Sequence, residues 1–402
     1  MKLVLLAFLM CTFSVHTHAQ STVVPTAEEL YLEGNVQVRR SIFRPFDENH
    51  YGEPLDLSER RPMVNVEESV FGTKYSRPGS KLFSNFYHNG RFYLARVPDQ
   101  GVRNTYFQLS YFPPQVAGRY IAAHSLLRFE MGQNTPIELV APMPTAEELA
   151  RLAAAPERQR AGMLPQERII PIHNAAISAE AQWTQNDPKK AYDLKRGTRG
   201  AFTQIVRMVS MTERIEGALQ SGNPANQIRL PLCNGAGDKV LAESLRTSQA
   251  DGISKLYDTL WYNCTTLAFD ILERSGTVSD NRLGFMRNFM QRRVPIIAPA
   301  ILTEYGGINV GPMGRDPSLA RETAEAYSRV FTDGREACPA GMPAANCQTV
   351  NEMIDLITNA AQSSSPDAMC TAVETLEPSI TRLAEHVMSQ EQVQGETSCP
   401  SN

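Results

Sequence analysis

The sequence predicts an α+β chain with a helical C-terminal tail, and three observations carry that expectation. Residues 119–131 alternate: Ile121, Ala123, Ser125, Leu127, Phe129 and Met131 share one face, while Ala122, His124, Leu126 and Arg128 share the other. That is the period of a strand. After Cys264, the apolar positions Leu267, Ala268, Ile271 and Leu272 recur at helical spacing, with Gly276 as the stop. Beyond about residue 315 the chain reads as amphipathic helices joined by Pro- and Ser-rich turns, such as that at 363–366.

The remaining elements follow in order. Residues 20–115 are rich in aromatics and turn residues, with short runs such as Phe92-Tyr93-Leu94-Ala95 and Tyr106-Phe107-Gln108-Leu109, and predict an irregular, β-rich region. Thr145 with Glu148 three residues later is the signature of a capping box, opening a helical insertion over 145–163. A second strand is expected at 169–178, carrying His173 and Asn174. Ile253, Leu256, Tyr257, Leu260 and Trp261 are spaced as a helix leading toward Asn263.

Composition bounds the function. The 402 residues are enough for more than one core, and a charged fraction of 20% with 42% hydrophobic residues is ordinary for a globular chain. With 43 acidic against 39 basic residues, there is no cationic field to grip a phosphate backbone, so a nucleic-acid partner is not expected. The one long apolar run, 3–15, follows Lys2 and is too short to span a bilayer; Thr17-His18-Ala19 then offers a cleavage site. Residues 1–19 therefore read as a signal peptide. The expected mature chain is exported, with a bacterial periplasm the best fit and no transmembrane segment remaining.

Export alters how cysteines are read. Cys11 leaves with the signal, and Cys338, Cys347, Cys370 and Cys399 cluster near the end, where an oxidising compartment would pair them. The short loop between Cys338 and Cys347 favours that pair, leaving Cys370–Cys399. The tail is thus expected to be disulfide-stapled. No HExxH or CxxC pattern supports a metal site, and the glycine pairs near 235–237 and 306–307 lack the setting of a phosphate loop.

The chemistry concentrates at Asn263-Cys264-Thr265-Thr266. Asn263 is a good N-cap, which puts Cys264 at the first position of a helix. There the positive helix end and unpaired N–H groups lower a thiol's pKa and offer donors to an oxyanion, with Asn263 in support. A nucleophilic cysteine also needs an imidazole. His124 stands on the strand face away from the apolar stripe, and His173 lies on the next strand, where it would orient His124; Asn174 is the alternative third member. The bland alternatives are structural histidines and a third disulfide, Cys233–Cys264.

Ala122-Ala123-His124-Ser125-Leu126-Leu127-Arg128-Phe129, followed by Asn263-Cys264-Thr265-Thr266, resembles the bacterial Lnb-type N-terminal periplasmic domain family. Ile228-Arg229-Leu230-Pro231-Leu232 and Tyr257 ahead of the Asn-Cys pair also match. The resemblance covers roughly residues 115–280, and the chain departs from it at Ala123, where the family often has glycine. It implies a circularly permuted papain-like (NlpC-type) core over 116–312, between the β-rich region 20–115 and the helical region 313–402. The activity it implies is a cysteine hydrolase or acyltransferase acting on envelope acyl lipids, lipoproteins or peptidoglycan peptides, without metal or organic cofactor. The alternative expectation is a non-catalytic binding or envelope-structure protein with Cys264 locked in a disulfide.

Overall fold

One mixed sheet runs through the molecule, with helices on both of its faces. The structure is a computed structural model and describes residues 23–32, 52–116, 119–192, 194–197, 201–232, 235–253, 255–259, 263–277, 298–304, 306–313 and 316–332. In chain order, β1 (Val64–Asn65), α1 (Val70–Tyr75), β2 (Ser80–His88), β3 (Arg91–Pro98), β4 (Val102–Val116), β5 (Arg119–Met131) and β6 (Ile137–Pro142) come first. Next come α2 (Ala146–Ala154), α3 (Glu157–Met163), β7 (Ile170–Ile172), β8 (Asn174–Gln182), α4 (Leu194–Gly197) and β9 (Phe202–Ser210). They are followed by α5 (Met211–Ser221), β10 (Ala225–Arg229), α6 (Ala236–Asp251), β11 (Leu256–Tyr257) and α7 (Cys264–Arg274). Finally come α8 (Ala298–Glu304), β12 (Ile308–Pro312) and α9 (Ala320–Thr332).

The strand order is β12-β10-β4-β5-β8-β9-β2-β3-β6-β7, with β1 on β2 and β11 on β9. The β2–β9 pair is parallel and the others are antiparallel. The long hairpin β4–β5 and its neighbour β8 form the centre. On one face, Leu127, Phe129 and Ile177 bury against Val240, Leu241 and Leu245 of α6 and Leu267, Ile271 and Leu272 of α7. On the other, Leu126 and Ala176 pack with Met211 and Ile215 of α5 and Ala326 of α9. The alternation read at 119–131 thus separates two buried layers, as expected of a central strand covered on both sides.

Thr145 and Glu148 make the reciprocal bonds of a capping box at the start of α2. The helical insertion is two short helices, α2 and α3; Leu149 and Leu152 of α2 pack against Phe71 of α1 and Leu94 of β3. Gly276 ends α7 with φ 73°, the left-handed conformation that glycine adopts without a Cβ penalty.

Two sequence expectations are corrected. The helix expected from Ile253 does not form over residues 255–259: α6 ends at Asp251, and Leu256 and Tyr257 pair as a strand with Thr203 and Phe202. A short apolar run fits either period, and packing of Tyr257 against Phe202 and Ala181 decides it. The division at 115/116 falls inside the β4–β5 hairpin, where Val116 pairs with Arg119. Phe83, Phe86 and Phe107 share a buried cluster with Leu127 and Leu267, so the β-rich region and the following segment belong to one sheet.

The signal segment 1–19, Cys233 and the tail cysteines lie outside the described residues. Among the described residues, no helix is long and apolar enough to cross a membrane.

Candidate active site

Asn263 has extended backbone geometry and accepts hydrogen bonds through Oδ1 from the N–H groups of Thr265 and Thr266, at 2.9 and 3.0 Å. It is therefore the N-cap, and Cys264 is the first residue of α7. The Asn263 Nδ2 donates to the Thr259 carbonyl at 2.7 Å, which holds the loop after β11 against the helix start. The Asn263 side chain thus supports the helix start as its cap, with its amide tied to the Thr259 carbonyl.

Cys264 carries a free thiol and is 2% exposed. Cys233, its partner in the disulfide alternative, lies outside the described residues. The sulfur occupies a break in the sheet. The β5–β8 ladder runs from Glu130↔Asn174 to Leu127↔Ile177, and Met131 N donates to His173 O at 2.7 Å. Stepping by two residues along that antiparallel register, the next ladder bond would join Ser125 to Ala179. Instead the Ser125 N–H donates to Cys264 Sγ at 3.3 Å. The Ser125 hydroxyl bonds the Thr265 hydroxyl at 2.9 Å, a second tie between β5 and the start of α7. Tyr257 donates its phenol to Sγ at 3.8 Å from the other side.

His124 lies beside this thiol, and its Nε2 stands 3.5 Å from Glu180 Oε1, an ion-pair contact too long and too poorly aligned to be a good hydrogen bond. Continuing the β5–β8 register pairs residue 124 with residue 180, so the splay that admits the thiol leaves these two side chains on one face. Burial opposes the imidazolium, but Glu180 and the Cys264 sulfur outweigh it and raise His124 to about 9. Burial likewise pushes the Cys264 thiol up, yet the facing His124 and the Ser125 donors bring it down to about 6. The two shifts agree on one state near neutrality, a thiolate beside an imidazolium.

Glu180 gathers positive charge. Its Oε1 accepts from Ser178 Oγ at 2.7 Å and from Arg214 at 3.0 Å, with Arg207 Nε 3.6 Å away. Burial would raise this carboxyl, but His124, Arg207 and Arg214 hold it well below the usual carboxylate range. Tyr257 is shifted the opposite way: burial, with the Cys264 sulfur nearby, pushes its phenol well above the ordinary value and keeps it a donor.

The third position predicted from sequence is corrected. His173 and Asn174 lie seven and six residues along the strand from Glu180, roughly 20 Å or more at ~3.3 Å per residue. His173 lines a separate pocket with His88, Arg321 and Glu322. Asn174 accepts from the buried Arg128 guanidinium and donates to Ser318 O and Glu322, fastening the segment before α9. Glu180 takes the place expected of them. The strand predicted at 169–178 stopped two residues short of it; alternation of Ser178 and Glu180 onto the His124 face was the available signal. Ser125, Arg207 and Arg214 carried none, because their roles depend on where α7 meets β5 and on how β9 and α5 lie against β8.

His124 and Glu180 open on a cleft of about 690 Å³ between β4, β9 and α5, lined also by Ser110, Phe112, Arg207 and Arg214. Among the described residues, no group of three or more His, Cys, Asp and Glu side chains is placed to hold a metal ion. Comparison with family models, curated proteins and solved structures finds no match for this chain.

Proposed function

We propose that the protein is an exported thiol hydrolase or acyltransferase in which Cys264 is the nucleophile, His124 the acid–base and Glu180 the residue that orients and charges His124. The observation that carries this reading is the free, buried Cys264 thiol at the first position of α7, held beside His124 with its pKa lowered to about 6. An ordinary buried thiol would be shifted upward instead.

In the proposed step the thiolate attacks an acyl carbonyl, and the carbonyl electron pair moves onto oxygen. The Cys264 N–H is the donor at the helix start for that oxyanion, since Thr265 and Thr266 N–H groups are engaged by the cap. Collapse expels the leaving group, which takes a proton from the imidazolium and leaves a thioester on Cys264. Water or another nucleophile, deprotonated by His124, then releases the acyl group.

The histidine-before-cysteine order and the strand-to-helix placement of the pair fit the Lnb-type resemblance and a circularly permuted papain-like core. On that resemblance the acyl donors are envelope phospholipids or lipoproteins first and peptidoglycan stem peptides second, in a periplasmic setting. The test is to incubate the exported protein with an envelope extract and map adducts by mass. An acyl or peptidyl thioester on Cys264, absent from Cys264→Ala, is the expected result. Activity that survives Cys264→Ala unchanged would overturn the covalent mechanism in favour of a binding protein.

A further inference from the structure

The cleft beside His124 has a charge arrangement that the acyl-transfer chemistry does not use. Arg207 and Arg214 both line it, with buried Nε atoms that make no hydrogen bond among the described residues. Buried donors are almost always satisfied, so two at one end of a cleft call for an acceptor. Ser178, Arg214, Arg207 and His124 all converge on one oxygen of Glu180, Oε1.

The local charge is also unbalanced. Arg60 lies close enough to feel Glu180, Arg207 and Arg214, so three guanidinium groups surround one buried carboxylate. Arg60 is held in place by the Ala181 carbonyl at 2.8 Å and stacks over Trp183 at 4.4 Å. Away from Glu180 the sign changes: Glu213 and Glu216 share the single Arg329 at 3.0 and 3.5 Å, and Glu59 is exposed, where water screens it.

We propose that this end of the cleft binds a phosphate group of the substrate, held between Arg207 and Arg214. Calling the ligand a substrate rests on the thiol-enzyme reading; the binding site itself does not. Guanidinium donors arriving from two separate side chains suit the spread oxygens of a tetrahedral phosphate group better than a planar carboxylate. The same chemistry serves a lipid phosphodiester or a free phosphate.

The experiment titrates the full exported protein with inorganic phosphate at fixed ionic strength, reading heat and the shift in Tm, with acetate and a monomeric short-chain phosphatidylglycerol in parallel. Saturable phosphate binding is expected, weakened at least tenfold in Arg207→Gln and in Arg214→Gln. Arg207→Lys and Arg214→Lys, which keep the charge, should retain part of it, separating lost binding from lost folding. Competition by the phosphatidylglycerol would support a lipid headgroup; phosphate binding without it would support a free phosphate. No saturable phosphate effect, equal binding by acetate, or binding unchanged in both glutamine variants would overturn the assignment. Iodoacetamide labelling of Cys264 in the same samples separates the two readings. Fast labelling without phosphate binding removes the subsite alone, and phosphate binding with an inert Cys264 removes the thiol enzyme alone.

Discussion

The backbone N–H of Ser125 donates to the Cys264 sulfur at 3.3 Å, at the position where the β5–β8 ladder would have bonded Ser125 to Ala179. The thiol is thus held by the edge of a rigid central strand rather than by a loop. A group placed this way keeps its geometry without side-chain entropy to lose, which suits a reactive pair that must stay aligned. The same break in the ladder leaves His124 and Glu180 on one face with nothing between them.

Glu180→Gln keeps the side-chain shape and removes the charge that raises His124. The imidazolium should then titrate well below about 9, and iodoacetamide labelling of Cys264 near pH 7 should slow by roughly tenfold, the factor that about 1.4 kcal/mol of lost thiolate stabilisation gives. His173→Ala should leave the labelling rate unchanged. Reversal of these two results would restore His173 as the orienting residue.

The pH dependence follows from the two shifts. Cys264 is lowered, so its thiolate is present above about 6 and lost as the pH falls through it. His124 is raised, so its proton is present up to about 9 and lost above. Labelling should therefore rise through an apparent pKa of about 6, and acyl turnover, which needs the imidazolium proton, should fall again above about 9. These values belong to the coupled pair. A labelling midpoint at the ordinary thiol value, 9.0, would show that the ion pair does not form.

Asn263→Ala removes the cap of α7 and the bond to Thr259, and should cost about 1–2 kcal/mol in urea unfolding. Asn263→Asp keeps an acceptor for the cap but sets a negative charge beside the thiolate. Its labelling midpoint should move upward while its stability stays closer to that of the parent protein. An unchanged midpoint would show that the helix start does not influence the thiol.

Arg128 is fully buried and forks to Asn174, Gln227, Asp316 and Ser318, joining β5 to the segment that leads into α9. Arg128→Met would leave Asp316 without its cation in a largely buried setting, at a cost of about 3–5 kcal/mol. Urea unfolding followed by tryptophan fluorescence measures it. A loss below about 1 kcal/mol would mean that Asp316 reaches solvent in the variant.

Local periodicity and cap chemistry were legible at positions where the residues concerned are neighbours in sequence, the helical spacing read from Ile253 excepted. The alternation of 119–131, the Thr145–Glu148 box, the Asn263 cap and the Gly276 stop depend on spacing within one turn or one strand, and each stands in the structure. The sequence by itself therefore determined that Cys264 begins a helix and that His124 faces away from the stripe of Leu127 and Phe129. Only the tertiary structure decided what meets them. Glu180 rather than His173 lies opposite His124 because strand register sets that pairing, and a shift in register leaves the local pattern of either strand almost unchanged. Leu256 and Tyr257 became a strand because the edge of β9 was there to pair with, a contact made across more than fifty residues of chain. The lowered thiol of Cys264 likewise required burial, a ladder N–H and an imidazole to converge, and no spacing in the sequence encodes that convergence.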